Sequence, residues 1–431
     1  MAWHTPISKL FIKEPEVTKL KRRRYAGAAL SRLTEGWVTG NTSADAEIKT
    51  SLKKLRDRSR QLCRDNPYAK QAKRTTQINV IGQGIKLQCN VPSIRGKKKD
   101  KRLSMMIEKA WREWCKRDYC DVSGQKSFFM LENMMVGALV ESGEVFFRIV
   151  RRKFGRSKVG LALEIIESDL VDDDYTGKVL RKGNEWRMGI EVDKFGRPQR
   201  YAFLNRHPGD YFFKDNYTEQ KHTIVNASDI IHLFLPERPA QNRGVPFFSS
   251  IMDDMHQLSG YESAAVIRAR AGASLMGFIS SSEGELEADD VEAEQRLTDF
   301  EAGVFKYLNP GEEITVPNIS SPDAQYESFV RAKIRRFASG LGVSYETISR
   351  DFSETNYSSS RLSLLEDREH WKMLQTYFVE NFHQFLYRFL VRLGLLTLLL
   401  HFHYFPEYYH SSLHQAGPDQ NFSSNFPSSF N

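Results

Sequence analysis

The feature that most constrains this chain is a change of hydrophobic period near residue 245. Upstream, short apolar runs alternate with turn signals. Val145 to Val150 reads as a strand, and between residues 160 and 235 short strands are separated by Asp172-Asp173-Asp174, Lys194-Phe195-Gly196-Arg197-Pro198 and His207-Pro208-Gly209-Asp210. Downstream, apolar residues recur every three or four positions. Val245 to about Ile279 predicts one long helix of roughly 50 Å. A second helix is predicted over 324–341, striped by Tyr326, Phe329, Val330, Ile334, Phe337, Ala338 and Leu341. A third runs from about Ser360 to Leu393 with Trp371, Leu374, Phe378, Phe382, Phe385 and Phe389 on one stripe, and with Ser363 and Glu366 spaced as a capping box. An acidic, strand-poor segment (283–301) and an irregular Gly/Pro piece (308–322) separate the first two helices. The polar loop Asp351 to Ser358 separates the last two. The chain therefore predicts an α+β half followed by helix, insert, helix, loop and helix.

The first half opens with a basic arm (1–44). A helix is expected from Asp45 to Asp65, stopped by Asn66-Pro67 because the residue before proline is pushed out of helical geometry. A second short helix should lead into a strand at Ile78 to Ile81, closed by Gly82-Gln83-Gly84. Helices are expected at Leu103 to Asp118, with Leu103, Ile107, Ala110, Trp111 and Trp114 on one face, and at Lys126 to Glu141.

Charge and motifs narrow the function. The formal net charge is +8, and Lys/Arg concentrate in runs at 19–24 and 97–102. Such runs are either solvated arms or contacts to a polyanion such as nucleic acid. The four cysteines, Cys63, Cys89, Cys115 and Cys120, form no CxxC pair, so neither a disulfide framework nor a zinc site is indicated. The N-terminal residues lack the apolar core of a signal peptide. The apolar run Leu393 to Leu400 is far shorter than the ~20 residues of a membrane span. No phosphate-cradling G-x-x-x-x-G-K-[ST], no H-E-x-x-H and no G-x-S-x-G occurs, so no catalytic residue, metal ligand or cofactor is assigned. Acidic clusters at Asp172 to Asp174, Asp253-Asp254 and Asp289-Asp290 fit turns and helix surfaces, or a metal-dependent nuclease. His401, His403, His410 and His414 reflect local composition.

Several segments, in order, resemble the lambda-type portal proteins of tailed bacteriophages. They are S-L-K-K-L-R-D-R-S-R-Q-L-C-R-D-N-P-Y-A (51–69), N-V-I-G-Q-G-I (79–85), E-S-G-E-V-F-F-R (141–148), L-E-I-I-E-S-D-L-V (163–171) and G-I-E-V-D-K-F-G-R-P (189–198). I-I-H-L-F-L-P-E-R-P-A-Q-N-R-G-V-P (230–246) and F-A-S-G-L-G-V-S-Y-E-T-I-S-R-D-F-S-E-T-N-Y-S-S-S-R (337–361) follow. The resemblance implies a non-enzymatic subunit of a ring, usually of twelve copies, at one capsid vertex, through which duplex DNA passes without sequence specificity. It implies a wing-like domain at 45–244, a stem helix at 245–280, a clip-like insert at 281–323, a second stem helix at 324–350, a tunnel loop at 351–358 and a long helix at 359–393. The implied partners are the terminase large subunit, head–tail connector proteins, and the major capsid and scaffolding proteins. The implied location is the virion, after assembly in the host cytoplasm. Candidate channel residues are Asp351, Ser353, Glu354, Thr355, Asn356, Tyr357 and Ser358 in the loop, with Arg331, Lys333, Arg335 and Arg336 as a basic stem face. The loop carries short polar groups and no Lys or Arg, which suits a duplex that must slide without being clamped. The alternatives are another minor capsid or head–tail ring protein, or a DNA-processing nuclease.

The pattern departs from the resemblance after Leu393. Residues 393–431 contain no Lys or Arg, although the chain averages about one in seven. His, Phe and Ser dominate, and Pro406, Gly417, Pro418 and Pro427 break any helix. Residues 394–431 are therefore expected to be an atypical tail, frameshifted or otherwise replaced, where the resemblance implies a helical crown.

Overall fold

The computed structural model describes residues 39–93, 99–157, 159–210, 221–273, 278–281, 312–315, 325–353 and 356–390. The tail, nearly all of the arm, most of the insert, and Glu354 and Thr355 lie outside the described residues.

Helix α1 (Ala44–Asp65) is started by the Ser43 side chain, which accepts the Ala46 N–H, and it buries Ile48, Leu52 and Leu62. Asn66 ends α1 and begins α2 (Pro67–Ile81). Its N–H bonds to the Leu62 carbonyl, and its side chain accepts from Tyr68 and Ala69. The strand expected at residues 78–81 is the last turn of α2. Val80 and Ile81 are buried with Leu131, Met135 and Leu139, so packing against the next helices overrides their β preference. Helix α3 (Lys101–Trp114) ends four residues before the expected Asp118, which sits instead in a turn with φ 70°. Helix α4 (Phe128–Ser142) follows.

Strand β1 (Glu144–Val150) is the middle of a three-stranded antiparallel sheet between β2 (Ala162–Ile166) and β7 (Ile230–Phe234). Its Val145, Phe147 and Ile149 face a core shared with α4 and the last long helix. Its Phe146 faces a second core with Ile190, Tyr201 and Phe203. Burial on both faces explains why the strand is apolar from Val145 to Val150 except at Arg148, which pairs with Glu164. The second core is roofed by a four-stranded antiparallel sheet of β3 (Glu185–Arg187), β4 (Ile190–Val192), β5 (Pro198–Leu204) and β6 (His222–Asn226).

The first long helix is shorter than expected. Residues 246–251 wind as tight turns, with Phe248 fully buried and the Phe247 N–H donating to the Val140 carbonyl. Helix α5 then runs from Met252 to Ala273, about 33 Å. Phe278–Ser281, expected to be helical, is strand β8, paired antiparallel with β9 (Glu312–Thr315) inside the piece expected to be irregular. In this ladder Ile279 is registered with Ile314 and Phe278 with Thr315. Helix α6 (Tyr326–Leu341) ends at Gly342 (φ 69°), and the short α7 (Tyr345–Ser349) follows within the segment expected to be one stem helix.

Helix α8 (Tyr357–Phe378) starts before the expected Ser360, so Tyr357 and Ser358 form its first turn. Ser363 and Glu366 lie inside it and form no capping box. A π-turn (Val379–His383) leads into α9 (Gln384–Leu390). The extra residue rotates the buried stripe. Trp371, Leu374, Phe378 and Phe382 point inward as expected, but Leu386 and Leu390 follow them, and Phe385 is 40% exposed. Among the described residues, no helix is long and apolar enough to cross a membrane.

Candidate functional site

Helices α5 and α6 lie antiparallel. Asp254 near the start of α5 meets Lys333 (2.9 Å) and Arg336 (2.9 Å), while Tyr261, seven residues on, meets Tyr326 and Phe329 seven residues back. Between them Met255 and Leu258 pack with Ile334, Phe337 and Ala338. Gly340 allows this approach, since a Cβ there would come within 2.4 Å of Ile251 Cγ2.

All four expected stem cations engage groups of the same chain. Lys333 and Arg336 share Asp254. Arg331 reaches Glu327 (2.7 Å) and Asp351 (3.7 Å). The Arg335 guanidinium lies 5.5 Å over the Tyr345 ring. Arg336 still shows 66% of its side chain to solvent.

The loop after α7 is anchored at its first residue. Arg350 adopts φ 59°, turning the chain so that the Asp351 carboxylate accepts from Ser353 N–H (3.0 Å), Ser353 Oγ (2.7 Å) and Tyr345 Oη (3.0 Å). The Ser353 hydrogen bonds, then Tyr345 and Arg331, hold the Asp351 carboxyl down to about 2. Asn356 supplies the carbonyl that accepts the Ser360 N–H at the start of α8. Further along α8, buried Asp367 accepts from Ser344 N–H (2.8 Å), Ser344 Oγ (2.7 Å) and Thr347 Oγ1 (2.5 Å). The loop is thus held at both ends while residues 354–355 fall outside the description.

The α+β body also holds a buried ion network that the sequence does not announce. Arg243 and Glu144 are both fully buried, 99 residues apart in sequence. Arg243 Nε lies 3.0 Å from both Glu144 oxygens, and Arg243 Nη2 lies 2.6 Å from Oε1. His232 (3.1 Å), Arg56 (3.4 Å) and the Gly244 N–H (2.9 Å) complete the shell around Glu144, and Asp173 joins both arginines. Burial alone would raise the Glu144 carboxyl, but Arg243 and the His232 and Arg243 hydrogen bonds hold it well below the usual carboxylate range. Beside it the backbones of Gly143 and Gly244 cross so closely that a Cβ on Gly244 would meet the Gly143 carbonyl oxygen at 2.1 Å. G-E at 143–144 and R-G at 243–244 are therefore two halves of one joint. The signal available in sequence was a lone acid opening a strand whose other residues, Arg148 excepted, are apolar.

The acidic clusters that fit a metal site also engage Lys, Arg and His side chains of this chain. Asp172 meets His222 (2.5 Å), Asp173 meets Arg56 and Arg243, and Asp174 lies 3.5 Å from Lys49. Asp253 lies 3.8 Å from Arg58. Asp289 and Asp290 are outside the described residues. Glu167, Asp169 and His207 bring ligand-type atoms within 4.8 Å of one another, but Asp169 is already engaged by Arg56 and Arg60. Burial pushes the Cys63 and Cys120 thiols up to about 12, so they serve packing and not nucleophilic chemistry.

The described residues thus form an α+β body that carries an antiparallel helix pair, the β8–β9 ladder and a polar loop anchored at Asp351. Residues 30–375 match the family described as phage portal protein, lambda family. The chain belongs to that family. It is 31% identical over 378 residues to a probable portal protein of Halomonas phage phiHAP-1, covering 86% of this chain and 71% of that one. It is 24% identical over 387 residues to portal protein B of Escherichia phage lambda, covering 80% and 70%. Among solved structures, the neck of an empty GTA particle aligns with a TM-score of 0.42 at 13% identity, covering 78% of this chain and 82% of that one.

Proposed function

We propose that twelve copies of this chain close into a ring at one capsid vertex and form the channel for DNA packaging and ejection. In this reading α5 and α6 bracket the channel, and residues 281–323 form the clip that faces the terminase large subunit and later the head–tail connectors. The loop from Asp351 touches the passing duplex, and residues 45–244 form the outer wing toward the major capsid and scaffolding proteins. The subunit acts as structure and not as an enzyme, in the virion and, before that, in the host cytoplasm. The observation that carries the reading is the stem pair leading through Asp351 into α8, whose Leu362, Leu364 and Leu365 stand exposed on the single subunit. Apolar residues in that number need a neighbour, and a heterologous contact that closes gives a ring.

Purified chain should therefore give closed rings with a central hole by negative-stain imaging, with a light-scattering mass near twelve subunits. Monomer alone in both measurements would sink the reading.

The loop supplies a second expectation. Glu354→Ala and Asn356→Ala should leave rings intact but impair DNA packaging or retention. Thr355→Arg should slow passage, since each added cation holds phosphate in a salt-sensitive way. Normal packaging rates for all three variants would remove the loop from the channel.

A further inference from the structure

The Lys/Arg-rich stretch that runs into α3 is not used by the channel reading, and α3 places part of it on the surface. Residues 95–117 carry ten Lys/Arg against three Asp/Glu, a formal +7 in a chain whose total is +8. All three acids are engaged locally. Asp100 caps α3 by accepting the Leu103 N–H (2.9 Å), and Glu108 accepts the Cys89 N–H (2.9 Å). Glu113 pairs with Lys116 (2.6 Å). The opposite side of α3 is fixed in the core through Ile107, Trp111 and Trp114, with the Trp114 indole donating to the Leu161 carbonyl (3.0 Å). Helical spacing then turns Lys101, Lys109 and Arg112 to one side of α3, and all three are exposed.

We propose that this outer face of α3 binds the phosphate backbone of duplex DNA, at a surface separate from the channel. From Lys101 to Arg112 it extends about 17 Å, and each DNA strand offers a phosphate about every 3.4 Å along that length. The exposed groups interleaved with the cations are Met105 and Met106, which cannot read base edges. A rigid row of cations of this kind suits an evenly charged polymer, held without regard to sequence. The inference rests on the portal reading only in naming duplex DNA as the polyanion at hand.

The test uses the full chain and a labelled, relaxed, closed-circular duplex, which cannot thread a channel. Lys101→Gln, Lys109→Gln and Arg112→Gln together should weaken binding in 0.1 M KCl by roughly tenfold or more. They should also make the slope of log K against log salt shallower by about 2 to 3. The three side chains are exposed, so the melting temperature should not change. The effect should persist when Lys19, Lys21, Arg22, Arg23 and Arg24 are also neutralised. Unchanged affinity and slope in the triple variant would overturn the proposal. So would a labelled poly-glutamate that binds the wild-type chain more tightly than DNA and displaces it, which would assign the face to an acidic protein. If the chain stays monomeric yet the triple variant still loses DNA, this inference stands and the ring reading falls.

Discussion

Arg243→Ala should destabilise the subunit by about 3–5 kcal/mol, because it leaves the Glu144 carboxylate buried with its main partner removed. That is a large part of the stability of an ordinary domain. Gly244 and His232 would still donate to Glu144, and Arg56 would remain 3.4 Å away, but no side chain of this shell replaces the contacts that Arg243 makes to both carboxylate oxygens. Removing both charges with apolar residues of similar volume, Glu144→Leu with Arg243→Met, should cost much less than Arg243→Ala alone. Urea unfolding of the three proteins checks the ordering, and equal losses in all of them would show that the network contributes packing and not charge balance.

The same joint fixes an acid limit. The folded Glu144 carboxyl lies below its unfolded value of about 4.3. Its contribution is therefore complete above that pH and is lost as pH falls through the depressed folded value. His232 adds in the same direction. Burial lowers its pKa against the opposing pull of Glu144, so below about 6.5 the unfolded chain takes up a proton that the folded chain resists. Urea midpoints should therefore begin to fall below pH 6.5 and fall further below pH 4.3, and Glu144→Gln should flatten the lower part of that curve.

The long helices were legible because burial writes a period of 3.6 into them, and α1, α4 and α6 begin within two residues of where their apolar stripes place them. The polar loop at 351 was legible for the opposite reason, as an interruption of that period. What could not be read is what depends on distant partners. Nothing near Asp351 in sequence announces that Tyr345 and Arg331 will hold it, and nothing near Glu144 announces Arg243. The segments that carried the family resemblance did include Glu144, His232 and Arg243, but as text without a reason. The structure supplies the reason in the crossing of Gly143 over Gly244 and the ion pair beside it. The end of α2 was misread because Ile78 to Ile81 has strand-forming side chains whose burial happens to be helical.

The π-turn gives the sharpest reversal between sequence and structure, and it can be measured one residue at a time. An unbroken 3.6 period puts Phe382, Phe385 and Phe389 on one buried stripe, so Phe385→Ala should be costly and Leu386→Ala mild. With the extra residue in Val379–His383, the order inverts. Leu386 is fully buried, and Phe382, also fully buried, stacks on Phe128 at 5.9 Å and lies 4.7 Å from Phe147. The wide turn is held by His383, whose Nε2 lies 2.6 Å from buried Glu132 and whose Nδ1 lies 3.1 Å from the Phe378 carbonyl. Phe382→Ala should therefore cost about 3–5 kcal/mol and Leu386→Ala about 2–5 kcal/mol. Phe385→Ala, at a position already 40% exposed, should cost under about 1 kcal/mol. Urea unfolding of the three variants decides the register: a Phe385→Ala loss larger than that of Leu386→Ala would mean that the helix runs through residues 379–383 without the π-turn. The rotation acts only beyond the turn, because Trp371, Leu374 and Phe378 upstream of it keep the buried face that an unbroken period predicts.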